Sequence, residues 1–121
     1  MQTVEEAQKP RQRPVYQFEV PEQLANGVTS VGLVELSADE EIMATKRSRG
    51  DTMRLAYELA KQALVEVNGA KVATHDGTVD KAFNDMTPKV RSLVLQAYAE
   101  IHAPPEGAAE GFLRSRRLKV G

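Results

Sequence analysis

Cysteine and tryptophan are both absent from this chain, and aromatic residues make up only 5% of it. Without cysteine there is no disulfide, no zinc-thiolate site and no cysteine nucleophile, a composition that suits a reducing cytoplasm. With so few rings, the core has to be built from Leu, Val, Ala, Met and Ile. Long apolar runs are missing too, since nothing approaches the ~20 residues that span a bilayer. The opening MQTVEEAQKPRQRP has no apolar centre and does not read as a secretory signal. The expected location is a cytoplasm, or the inside of something larger that leaves one. No glycine-rich phosphate loop occurs: Gly27, Gly32, Gly50, Gly69 and Gly77 sit in separate turns or strands. A strong excess of either charge is also lacking. The formal net charge of -1 argues against a generic nucleic-acid binder, whose field is normally basic.

What remains is an ordinary globular composition, 41% hydrophobic and 27% charged in 121 residues, enough for one domain. The stretch Asp51 to Val67, DTMRLAYELAKQALVEV, organises the rest. Its apolar residues Leu55, Ala56, Leu59, Ala60, Ala63, Leu64 and Val67 repeat at helical spacing and form one stripe, with Arg54, Glu58, Lys61, Gln62 and Glu66 away from it. Asp51 caps its first turn. The stripe's alanines allow a second helix to come close.

Before it, Val15 to Val20 alternates and predicts a half-buried strand carrying Tyr16, Phe18 and Val20 on one side. Asn26-Gly27 marks a turn, and Val28 to Leu36 is a second strand, antiparallel to the first. Ser37-Ala38-Asp39-Glu40 is a capping box that starts a helix ending at Gly50. Acids fill that helix's first turn and Lys46, Arg47 and Arg49 its last, in the order the helix dipole favours. Ile42 and Met43 are its expected buried side.

After the central stretch, Asn68-Gly69 predicts a tight turn closing a small hairpin between Val65/Val67 and Val72. Thr74 to Gly77 is another turn, and Thr78 is the expected cap of a short helix holding Val79, Ala82, Phe83 and Met86. Thr87-Pro88 opens the last long helix, Pro88 to His102, with Val90, Leu93, Val94, Ala97, Tyr98 and Ile101 on one face. Pro104-Pro105 stops it. The expected fold is α+β, an N-terminal β hairpin packed on a small helical bundle, with extended N- and C-terminal arms. Its divisions are a flexible or extended arm over 1–14, a single domain over 15–104, and a linker with a basic and apolar docking segment over 105–121.

Candidate chemistry is thin. His75 and Asp76 share a turn, and His102 ends a helix, where a cation suits the dipole; the spacing of a metal site is missing, and no metal or cofactor is expected. Ser37 and Thr87 are accounted for as helix caps, Ser30 as a strand residue, and Asp39, Glu40 and Glu41 as an acidic first turn. No enzyme is expected. Lys46-Arg47-Ser48-Arg49 ends a helix. Arg114, Arg116 and Arg117 alternate with Phe112, Leu113, Leu118 and Val120, the pattern of a segment that docks on a partner protein. These seven form the candidate partner-binding site.

Three runs, GLVELSADEEIMATKR, RLAYELAKQALVEVNG and MTPKVRSLVLQAYAEIHAP, resemble the tail assembly chaperones encoded in the tail gene clusters of long-tailed bacteriophages. In that family a β segment leads through an E-L-[ST] step into helices, and the C-terminus is a polar tail. The resemblance spans roughly Val28 to Pro104. It implies a non-enzymatic cytoplasmic protein that binds the tape measure protein and helps tail subunits polymerise around it. The expected partners are phage tail or other virion proteins, in an oligomer or a larger assembly, without nucleic acid or membrane. A docking segment at the C-terminus also suits a different role, a structural virion protein of the neck, tail or baseplate.

Overall fold

A computed structural model describes residues 13–116. The sheet has four antiparallel strands in the order β1-β2-β3-β4: β1 (Tyr16–Glu19), β2 (Ser30–Leu33), β3 (Leu64–Val67) and β4 (Ala70–Lys71). Five described helices accompany it: α1 (Ala38–Ser48), α2 (Thr52–Ala63), α3 (Thr78–Asp85), α4 (Pro88–His102) and α5 (Ala108–Arg114). The fold is α+β, and the expected N-terminal hairpin is the outer half of this sheet. Most of the N-terminal arm lies outside the described residues.

The core lies between one face of the sheet and three helices. Val31, Leu33 and Leu64 from the strands meet Ala60 and Ala63 of α2, Val79 and Phe83 of α3, and Val90, Val94 and Ala97 of α4. Burying these side chains drives folding, at about 25 cal/mol per Å² of apolar surface removed from water. The Tyr57 ring meets Phe83 edge to face at a centroid distance of 5.4 Å.

Local signals are realised at the helix starts. Ser37 forms the capping box with Glu40, Asp51 accepts from the Met53 and Arg54 amides, and Thr87 caps α4 with Pro88 at its start. Asn68 and Gly69 both take positive φ, 54° and 79°, which the tight β3–β4 turn requires. The Asn68 side chain also reaches across the sheet. Its oxygen accepts from the Thr29 amide at 2.7 Å, and its nitrogen donates to the Gly27 carbonyl at 2.6 Å. One residue thereby ties together the two turn regions that carry Asn-Gly pairs.

Several expectations are corrected. The central helix ends at Ala63, because Leu64–Val67 pairs with β2 and its backbone bonds leave the helix. The pairing carries a bulge opposite Gly32 and Leu33, where Val65 is the extra residue. Ile42 and Met43 are about half exposed; α1 instead buries Ala44 and Ser48, small residues that let it lie close to α2. Glu58, expected on the open face of α2, is only 8% exposed. Its carboxylate lies 3.7 Å from Lys61 Nζ, which also reaches Asp80 on α3 at 3.2 Å, so the buried charge has a partner. Arg49, in the left-handed region, caps α1 ahead of Gly50. Gly77, not Thr78, is the cap position of α3.

Candidate functional site

Four surfaces carry chemistry worth weighing. The first is the turn holding His75 and Asp76, which borders a cleft of about 560 Å³ lined by Val34, Val65 and Val72. Asp76 is committed to the backbone there: its carboxylate accepts from the Thr78 hydroxyl at 2.6 Å and the Thr78 amide at 3.0 Å. Those two bonds hold its pKa below the ordinary carboxylate value. Thr78 is therefore a turn brace inside the helix start. Among the described residues, no three His, Asp or Glu side chains gather as metal ligands.

His102 is placed differently from its expected role as a dipole cation. Its Nε2 accepts from the Leu36 amide at 2.9 Å, and its Nδ1 lies 2.8 Å from the Tyr98 carbonyl oxygen. That pair of bonds suits a ring with its proton on Nδ1. His102 pins the end of α4 to the segment leading into α1, and its ring lies over Tyr98 at 4.2 Å. Burial, aided by the charge of Glu41, raises the Tyr98 pKa.

The second surface is the basic end of α1. Lys46, Arg47 and Arg49 border a cleft with Arg54, but Glu58 and Asp80 line the same cleft and Arg47 donates to Gln62 at 2.8 Å. Four cations face two acids there, and Lys61 already meets both acids, so the cleft keeps a net positive charge beside the α1–α2 seam.

The third surface is a groove between β1 and α4. One stretch, of about 240 Å³, is floored by Phe18, Val31, Val90 and Val94. It adjoins a second stretch of about 470 Å³ that shares Phe18 and Glu100 and runs to Ala103 and Pro105. Glu19, Glu35 and Glu100 stand along the two, and among the described residues no lysine or arginine lines either. The Tyr16 hydroxyl donates to Glu35 at 3.2 Å, a bond that raises the tyrosine pKa. Sequence reasoning missed this groove. The only hint was that Tyr16, Phe18 and Val20 share a side of β1.

The fourth surface is α5, which carries the described part of the candidate partner-binding segment. Phe112 is 77% exposed and Leu113 60% exposed, and every residue of the helix faces solvent. With Ala108 and Ala109 they form an apolar stripe at helical spacing. Arg114 makes a loose pair with Glu110 at 3.7 Å, and Arg116 is exposed. Arg117, Leu118 and Val120 lie outside the described residues. The structure therefore brings Phe112 and Leu113 together, unburied by the domain. No described helix is long and apolar enough to cross a membrane. No family model, curated protein or solved structure matches the chain.

Proposed function

We propose that the chain is a tail assembly chaperone of a long-tailed bacteriophage, a non-enzymatic protein that acts in the host cytoplasm by contact with the tape measure protein and tail subunits. The observation that carries this reading is the exposure of Phe112 and Leu113 on a helix set off from the domain by Pro104 and Pro105. A seven-residue helix is marginal alone in water, so a partner's surface has to supply what holds it. Arg114 and the arginines that follow the helix add orientation on an acidic partner more than affinity.

Truncation after Pro105 tests the reading. The shortened protein is expected to keep the parent's helical content in the domain and its melting temperature, yet to lose capture of tail proteins in a pull-down. Unfolding of the shortened protein would assign the segment to the core, and undiminished capture would refute docking. The docking segment also favours a second reading, a structural virion protein of the neck, tail or baseplate. Mass spectrometry of purified particles separates them, because a chaperone leaves the mature virion and a structural protein stays at fixed copy number.

A further inference from the structure

We propose that α5 of one copy docks in the β1–α4 groove of a second copy, linking subunits head to tail. The inference concerns contacts of this chain with itself and does not rest on the tail-assembly reading. Its first support is charge. The groove is bordered by Glu19, Glu35 and Glu100, while α5, whose Glu110 and Arg114 offset each other, is followed in the sequence by Arg116, Arg117 and Lys119 and no acid. Its second support is shape. A dry cavity of about 150 Å³ already admits a benzene ring, and the inner stretch of the groove offers about 240 Å³. Phe112 supplies a ring to fill it, and Leu113 beside it covers the aliphatic lip.

The occupant comes from another copy because of how the chain leaves α4. Ala103 and Pro105 line the groove's outer end, so α5 departs from its very mouth. Two consecutive prolines there fix φ and disfavour a helical turn before them, which leads the chain outward instead of back along α4. In its own molecule α5 accordingly stays exposed along its length. Each copy thus presents a donor helix and, at its root, an acceptor groove, two different patches. That arrangement is heterologous, and repetition gives a ring or an open filament.

Sedimentation velocity of the full-length protein over a concentration series tests this. The parent is expected to grow beyond a dimer as concentration rises, and less so at high salt. Phe112→Asp, which removes the donor, and the double variant Glu19→Arg with Glu100→Arg, which reverses the acceptor, are each expected to sediment as monomers. All three positions are exposed, and circular dichroism confirms that the variants fold. Mixing the two variants is the decisive arm: one retains the groove and the other the helix, so they should form a capped one-to-one dimer. A parent that stays monomeric overturns the proposal, whether Phe112 then proves protected within its own molecule or open to a foreign partner. So does a mixture that fails to associate, or association of both variants at the parent's level. The groove variant keeps α5 intact, so its capture of tail proteins reports on the assembly reading separately.

Discussion

α3 and α5 are built alike and fare differently. Each follows a glycine held at positive φ, Gly77 at 78° and Gly107 at 81°, which has no side chain to cap with, although Asp76 braces the Thr78 amide at the start of α3. Each carries one phenylalanine. Yet Phe83 is 1% exposed, packed under Tyr57, whereas Phe112 is 77% exposed. Local chemistry separates the two helices only by that brace; the larger difference is a neighbour. α3 has α2 and β3 to lie against, with Lys61 bridging to its Asp80 and its ammonium 5.6 Å from the centre of the Phe83 ring. α5 has solvent, and its apolar stripe stays exposed.

The contrast can be broken most sharply at the two rings. Phe83→Ala is expected to cost about 3–5 kcal/mol, since it removes a large side chain from a closed core and leaves a cavity. Chemical denaturation would measure it, and a loss under about 1 kcal/mol would mean the core collapses around the gap.

A middle-sized effect is expected from the ion pairs. Glu40 joins separate segments, accepting from the Ser37 amide and from Arg13, while Glu110 meets only Arg114 on its own exposed helix. Burial alone would raise the Glu40 pKa, but the Ser37 bonds and the Arg13 contact together hold it below the ordinary value. A depressed carboxylate contributes stability above its unfolded pKa and loses it as pH falls through the folded one. Acid unfolding should therefore steepen below about pH 4.5. Glu40→Gln should flatten that slope, and Glu110→Gln should leave it unchanged. Equal slopes for all three proteins would show that neither the Ser37 bonds nor the Arg13 contact holds Glu40 in solution. The smallest effect is expected at Phe112→Ala, under about 0.5 kcal/mol in the dilute monomer, read by the same denaturation curves. A larger loss would place α5 on the domain after all.

What was legible in the sequence was local. Ser37, Asp51 and Thr87 act on amides within three residues of themselves, and Asn68-Gly69 needs only its own backbone. The face of α4 was readable because α4 has one buried side. α2 was misread because it is gripped from more than one direction, by α1 as well as by α3 and α4. Its half-buried Leu55 and Leu59 and its buried Glu58 consequently break a single-stripe pattern. Its true end was hidden because Leu64 and Val67 continue the helical spacing while their backbone is claimed by β2. The β-branched Val65 and Val67 were the available warning. The role of His102 was out of reach, since its partner Leu36 lies 66 residues away in the chain. The groove escaped for the same reason, being made only when β1 and α4 meet.

The Asn68 clasp has a consequence for the order of events in folding. Its bonds join positions 39 and 41 residues apart in the chain, with α1 and α2 lying between them. Closing so long a loop is entropically costly, and the helical hairpin inside it shortens the effective span once formed. The clasp is thus placed to close late, after α1 and α2 have paired. Asn68→Ala should then speed unfolding and leave the folding limb of a chevron nearly unchanged, the mark of an interaction made on the native side of the barrier. A slowed folding limb would mean instead that the two turns meet early and template the sheet. On the expected order, Asn68 acts as a latch on the finished sheet, governing how long the native state lasts more than how fast it is reached.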